Sequence, residues 1–243
     1  MARFFVNKDV LSGEMVVLTN ENAAHAKVLR LKEGEQVILC DGEGQEALCT
    51  VVSFDSLSYT LKLNSRRASL SEPSVRVSMY MAFPKSDKLE HVIQKATELG
   101  AYEIVTFPSA RCISKPDEKS LKKKLERWQK IALAAAEQSG RGRIPQVVVL
   151  DSYDKALERA SESDLSILFY ENEQATNLHM ALESGTYSSI SLLTGPEGGL
   201  DAQEVLLAKE KGVQVCTLGK RILRCETAPL CALSAVMYAA MEY

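Results

Sequence analysis

The chain has 243 residues, 46% of them hydrophobic and 25% charged, with a formal net charge of −3, the profile of a globular protein long enough to bury a core without cross-links. No apolar run approaches the ~20 residues of a membrane-spanning helix, and the opening "MARFFVNKDV" lacks the apolar stretch and small-residue cleavage site of a signal peptide. Six scattered cysteines without a C-x-x-C pair fit neither a zinc site nor a disulfide framework, so reduced thiols, a cytoplasmic location and the absence of a bound metal are expected.

The first ~70 residues alternate short β-type runs with turn signals: "ARFFV", "MVVLT", "QVILCDGEGQEALCTVVSFD" and "YTLKLNS". Asp41-Gly42-Glu43-Gly44 sits between two apolar runs as a hairpin turn would. One helical piece, Asn22 to Leu29, interrupts them. The pattern predicts a small β-barrel or sandwich. Residues 64–74, "NSRRASLSEPS", are polar and aperiodic and read as a linker.

From Val75 the rhythm changes. Apolar runs at 75–83, 104–107, 146–150, 166–170, 189–194 and 213–217 alternate with helical patterns, which predicts a mainly parallel sheet covered by helices. In the helix from Asp87, Leu89, Val92, Ile93, Ala96 and Leu99 form a core-facing stripe. Lys88, His91, Lys95 and Glu98 share another face, and Gly100 closes the helix as a left-handed cap. The helix at about 118–139 is predicted to bury Leu121, Leu125, Trp128, Ala132 and Ala135, and it ends in "EQSGRGRIP". The last helix, from about Ala228, is predicted to bury Leu230, Leu233, Val236 and Met237.

The charge is uneven. Residues 84–145 hold 13 basic and 8 acidic side chains, while 146–243 hold 7 and 14. A basic middle in an acidic chain marks either a polyanion-facing surface or, as charge alone favours, the wet face of the helix "KSLKKKLERWQK".

Two loops carry the candidate chemistry. In "LLTGPEGGLDAQE" a buried strand ends at Gly195, Gly198 and Gly199, and Asp201 with Glu204 is a capping-box signature for a helix that follows at once. Ligands of open α/β sheets bind in such crevices. The spacing matches neither a dinucleotide nor a P-loop fingerprint, and Glu197 argues against a polyphosphate and for a ligand with hydroxyls, amines or a positive centre. A plain tight connection is an equal alternative for this turn on its own. In "LGKRILRCETAPL", Lys220, Arg221, Arg224 and Glu226 are interleaved with Ile222 and Leu223 after another apolar strand, either as a pocket wall with polar handles or as a solvated surface loop. Thr227 is a fair N-cap, and Pro229 is tolerated in a first helical turn.

"TGPEGGL" followed by "LGKRILRCETA" resembles the SPOUT class of S-adenosylmethionine-dependent RNA methyltransferases. The whole chain is similar to its small-subunit ribosomal RNA uridine methyltransferase (RsmE) branch, through "RFFV", "HAKVLRLKEGEQVILCDGEG", "KSDKLEHVIQKATELGA", "RWQKIALAAAEQSGR" and both C-terminal loops. One departure is Cys225-Glu226-Thr227-Ala228-Pro229, where many relatives carry threonine first and alanine last. The resemblance implies an α/β fold: a SPOUT-type knotted, mainly parallel sheet with helices on both faces over 73–243, preceded by a PUA-like RNA-binding β-barrel over 1–72. It implies a homodimer that uses S-adenosyl-L-methionine to methylate nitrogen 3 of a decoding-region uridine in 16S rRNA of the small ribosomal subunit.

The residues it singles out for the cofactor are Leu193, Thr194, Gly195, Glu197, Gly198, Gly199, Leu218, Gly219, Ile222, Leu223, Thr227 and Ala228. Arg224 is expected to stabilise charge on the uracil oxygens; Glu226 is equally a base or an N-cap or dimer-contact carboxylate. Gln138, Ser139 and Arg141 are candidates for the target base or its phosphates, and Arg3, Arg30, Arg111 and Arg143 for phosphates. Covalent attack by Cys225 is not needed for nitrogen methylation, and His25, His91 and His179 look like ordinary polar residues. Competing functions are a SPOUT methyltransferase for another RNA base or a ribose, a non-catalytic RNA-binding assembly factor, and a nucleotide-phosphate enzyme.

Overall fold

A computed structural model describes residues 1–113, 118–183 and 185–242, Glu118 by its backbone alone. The chain forms two compact units, Met1–Glu72 with Ala136–Ile144, and Pro73–Ala135 with Pro145–Tyr243.

The first unit is a curled five-stranded sheet. Its strands are β1 (Ala2–Phe5), β2 (Met15–Leu18), β3 (Gln36–Cys40), β4 (Gln45–Phe54) and β5 (Tyr59–Ala68), in the order β1-β3-β4-β5-β2. β1 pairs parallel with β3 and the other pairings are antiparallel. Alternation sends Val37 and Leu39 of β3 and Ala47, Cys49 and Val51 of β4 inward with Phe4, Val16, Leu18 and Leu61, as a half-buried strand demands. The helix α1 (Asn20–Val28) adds Ala23 and Ala26 to that core. A 3₁₀ turn at Lys8–Ser12, which nothing in the sequence announced, precedes β2. The β3–β4 turn is closed by Asp41, whose Oδ1 accepts from the N–H groups of Glu43 and Gln45.

The expected linker is in part strand. β5 runs through Ala68 because Gln45, Glu46, Ala47 and Leu48 of the long β4 pair with Ala68, Arg67, Arg66 and Ser65. Polar residues extend a strand where a partner offers its backbone, and composition cannot reveal that.

The second unit is built on six strands, all parallel: β6 (Arg76–Ala82), β7 (Glu103–Phe107), β8 (Gln146–Val149), β9 (Leu165–Phe169), β10 (Ser189–Thr194) and β11 (Gln214–Cys216). Their order is β11-β9-β10-β6-β7-β8. Each coincides with one of the six apolar runs, and β9 is buried along its whole length, as strands covered on both faces are. Helices α2 (Lys88–Glu98), α3 (Glu118–Ser139), α4 (Tyr153–Ala160), α5 (Leu178–Glu183), α6 (Ala202–Glu210) and α7 (Thr227–Ala239) alternate with the strands.

The α2 stripe Leu89, Val92, Ile93 and Ala96 is buried as predicted. Gly100 takes φ +93°, the left-handed region, and a Cβ there would stand 2.8 Å from Pro73 Cγ, so the position needs glycine twice over. In α3, Trp128, Ala132 and Ala135 are buried while Leu121 and Leu125 are only half-buried. In α7, Leu233, Val236 and Met237 are buried, Leu230 is half-buried and Pro229 takes its place inside.

Candidate active site

β9, β10 and β11 are neighbours in the sheet, with Val215, Leu168 and Leu193 in register. Their carboxyl ends therefore open at one level, and the loops leaving them enclose a cavity of about 990 Å³. That volume suits a nucleoside-sized ligand. The two loops singled out in the sequence supply two walls: Thr194 to Leu200 after β10, and Thr217 to Cys225 with Ala228 after β11. The end of β9 supplies a third, Phe169 to Asn177, tied back where Thr217 N–H donates to the Thr176 carbonyl.

Of the cofactor candidates, Thr194, Gly195, Glu197, Gly198, Gly199, Leu218, Gly219, Ile222, Leu223 and Ala228 line this cavity. Leu193 and Thr227 do not. Leu193 is fully buried, and its backbone lies within the sheet between β9 and β6. Thr227 is the first residue of α7, with its N–H donating to the Arg224 carbonyl; the N-cap position falls to Glu226, one residue earlier than expected.

The glycine turn is rigidly framed. Asp201 Oδ1 accepts from the N–H groups of Gln203 and Glu204, and Glu204 Oε2 accepts from Asp201 N–H, completing the expected capping box. The other carboxylate oxygen of Glu204, Oε1, accepts from Ala110 N–H at 2.8 Å, so one half-turn of α6 also holds the loop after β7. Arg111 on that loop donates to the Gly198 carbonyl at 2.9 Å. Gly199 takes φ +68°, and a Cβ on it would stand 2.6 Å from Glu171 Oε1.

Lys88, the first residue of α2, lines the cavity and joins its two loops. Its Nζ is 3.0 Å from Glu197 Oε1 and 3.1 Å from Glu226 Oε2. Glu197 also accepts from Lys85 N–H. Burial opposes its charge, but the hydrogen bonds from Lys85 and Lys88 prevail and hold the carboxyl below its usual range. Glu226 makes no side-chain cap bond. Hydrogen bonding to its own backbone N–H, then the Cys225 thiol and Lys88, keeps it ionised and lowers its basicity despite partial burial. Glu226 is not among the residues lining the cavity; it pairs with Lys88, which is. The two carboxylates in turn raise the pKa of Lys88. Burial, with Glu226 beside it, pushes the Cys225 thiol up to about 12, which leaves it no nucleophile at neutral pH.

Arg224 is on the cavity wall and exposed. Among the described residues its guanidinium has no partner, and neither do the side chains of Lys220 and Arg221. The candidate RNA contacts divide differently. Arg3 Nη1 pairs with the buried Glu46 at 2.7 Å, and Arg67 takes its other oxygen. Arg141 is 3% exposed and pairs with Glu72; Arg143 donates to the Glu43 carbonyl. Arg3, Arg111, Arg141 and Arg143 are thus engaged within the chain, while Arg30 and Gln138 are exposed and Ser139 is half-buried.

An RNA methyltransferase domain family matches residues 71–237, and an RNA methyltransferase PUA domain family matches residues 18–63. Ribosomal RNA small subunit methyltransferase E of Bacillus subtilis is 37% identical over 249 residues, covering 98% of this chain and 96% of that protein. The chain belongs to the small-subunit ribosomal RNA methyltransferase E family. The family member from Neisseria gonorrhoeae, solved bound to S-adenosyl methionine, is 31% identical and superposes with a TM-score of 0.85 over 98% of this chain and 97% of that one. A Legionella pneumophila methyltransferase, solved in complex with the same compound, is 28% identical with a TM-score of 0.82, again over 98% and 97%. Within this family's fold, the curled first sheet is the PUA-like domain and the parallel sheet is the SPOUT-type methyltransferase domain.

Sequence reasoning missed Lys88 and the β9 wall. The sequence places Lys88 only on a polar helix face; the spacing gives no sign that two distant carboxylates converge on it. The β9 wall depends on strand order, which no local pattern encodes.

Proposed function

We propose that the protein transfers a methyl group from S-adenosyl-L-methionine to nitrogen 3 of a decoding-region uridine in 16S rRNA of the small ribosomal subunit. The carrying observation is the single cavity into which the loops after β9, β10 and β11 converge. Its lining is compatible with the cofactor: Gly195, Gly198 and Gly199 let a ligand approach the backbone closely, and the wall carries Glu171, Glu173 and Glu197 for hydroxyls, amines or a positive centre beside the cations Lys88, Lys220, Arg221 and Arg224. When bound, the sulfonium supplies an electrophilic methyl group, and the protein supplies orientation.

The ten cavity-lining candidates named above hold the nucleoside, with the Gly195–Gly199 backbone on one side and Leu218, Gly219, Ile222 and Leu223 on the other. The ring-nitrogen proton passes to solvent water, and until the nitrogen takes the methyl group the uracil oxygens carry negative charge. Arg224, exposed on the cavity wall, neutralises it. Glu226, ionised and of lowered basicity, favours Arg224 over base catalysis as the main contribution. Arg30, Lys220, Arg221 and Arg224, whose side chains have no partner among the described residues, meet the RNA backbone together with Gln138 and Ser139.

A trefoil knot in the C-terminal part, a homodimeric assembly and a cytoplasmic location belong to the same proposal. Mass spectrometry of 16S rRNA from a strain lacking the gene is the test. Loss of 3-methyluridine, restored by the wild-type gene and not by Arg224→Ala, is expected; retention of the modification refutes the assignment. Sedimentation of the purified protein at two subunit masses is the corresponding test of the dimer.

A further inference from the structure

We propose that Lys88 is the positioning residue of the cavity: it holds the glycine turn and the 218–226 loop together by bridging Glu197 and Glu226. This builds on the donor-binding proposal and adds to it the means by which the two loops are kept at binding distance. They belong to different strand-to-helix connections, and α6 and β11 lie between them in the chain. Lys88 reaches both from a third element, α2.

The geometry explains why a cation is needed there. With one ammonium 3.0 Å from Glu197 Oε1 and 3.1 Å from Glu226 Oε2, the two oxygens stand no more than about 6 Å apart. Two carboxylates at that distance repel unless a cation lies between them or they share a proton. The other donors to them are the N–H groups of Lys85 and of Glu197 itself on Glu197, and the Cys225 thiol and its own N–H on Glu226, all neutral donors that cannot cancel the second charge. In the wild type, Lys88 is charged throughout the neutral range and the clamp is insensitive to pH. With Lys88 replaced by an uncharged residue, a shared proton is the remaining means of closure, and closure then fails as pH rises.

Calorimetric binding of S-adenosylmethionine between pH 5.5 and 8, for wild type, Lys88→Met, Lys88→Arg and the double variant Lys88→Met/Glu226→Gln, tests this. Each variant is expressed relative to wild type at the same pH, which removes the ligand's own titration. Lys88→Met is expected to bind within about threefold of wild type at pH 5.5 and about tenfold or more weaker at pH 8, because the charged pair repels once the shared proton is lost. Lys88→Arg should stay near wild type, and the double variant should recover affinity and lose the pH dependence. A Lys88→Met affinity equal to wild type, or weakened equally at every pH, overturns the clamp. If Lys88→Met does not fold, the double variant decides: unrecovered binding, or binding that still falls with pH, overturns it. Failure of the wild type to bind the compound at any pH overturns the donor-binding proposal, and the clamp with it.

Discussion

Arg141 Nη2 stands 2.7 Å from Glu72 Oε2, with the guanidinium almost wholly out of water. The opposite oxygen, Glu72 Oε1, accepts the backbone N–H groups of Gly142 and Arg143, so this one carboxylate organises the "SGRGR" loop. Such a pair gives Arg141 a structural role in the first unit. Removing one partner leaves a buried charge uncompensated. Glu72→Ala is therefore expected to cost about 3 kcal/mol in denaturant-induced unfolding, several times the cost of removing an exposed pair. An unchanged midpoint would refute this role.

Asp201 and Glu204 divide the labour at the start of α6. Asp201 caps two N–H groups, and Asp201→Ala should cost about 1 kcal/mol of stability, the usual loss of an N-cap. Glu204 receives N–H groups from two separate loops, Asp201 and Ala110. Glu204→Ala is expected to cost more than Asp201→Ala, because it strands donors in both. Parallel urea titrations rank the two variants; the reverse order would show that the Ala110 bond contributes nothing.

What the sequence made legible follows from period. Each strand of the parallel sheet is a continuous apolar run, and the α2 stripe repeats at helical spacing, so both were readable without neighbours. The capping box at Asp201 and the left-handed Gly100 were readable because their chemistry is local. The internal partners of Arg3, Arg111, Arg141 and Arg143 were not, because an arginine in sequence looks the same whether or not a carboxylate or a backbone carbonyl far along the chain awaits it. Lys88 and the β9 wall were hidden for the same reason: both owe their place to strand order. The return of Ala136–Ile144 to the first unit left no compositional mark.

Gly199 combines two constraints that can be separated. Its φ of +68° disfavours any residue with a Cβ, and Glu171 Oε1 occupies the space a Cβ would need. Gly199→Ala is expected to weaken S-adenosylmethionine binding about tenfold through the left-handed penalty of roughly 1–2 kcal/mol plus displacement of Glu171. Glu171 ends a flexible side chain that also lines the cavity, so Gly199→Ala/Glu171→Ala is compared with Glu171→Ala alone, and the difference between them should be the backbone share only. Equal affinity of the double variant and Glu171→Ala in isothermal titration would mean the backbone conformation imposes no cost.

Asp164 ties the entry of β9 to that of β10, accepting from the Ser188 hydroxyl and from the N–H groups of Ser188 and Ser189. Those hydrogen bonds, the Ser188 hydroxyl first, hold its pKa at about 2. The carboxyl is more acidic folded than unfolded, so its stabilisation is complete above the unfolded value near 4 and disappears as pH falls through 2. The melting temperature of Asp164→Asn should lie below that of the wild type at neutral pH, with the gap closing between pH 4 and 2. A gap that stays constant over that window would show that the charge on Asp164 is not what the serines stabilise.

The division between engaged and available arginines gives the last prediction. Arg221 is exposed on the cavity wall without a partner among the described residues, whereas Arg3 is committed to Glu46. If phosphate contact follows availability, Arg221→Ala should weaken binding to a 16S rRNA fragment and lower the slope of log affinity against log salt by about one, while leaving unfolding unchanged. Arg3→Ala should act the other way, destabilising the first unit by leaving Glu46 buried with one partner fewer, and barely altering the salt slope of whatever protein remains folded. Filter binding across a salt series, read beside thermal melts of the same preparations, separates these outcomes. A salt slope that falls for Arg3→Ala and stays fixed for Arg221→Ala would mean that RNA recruits the internally paired arginines by breaking their ion pairs.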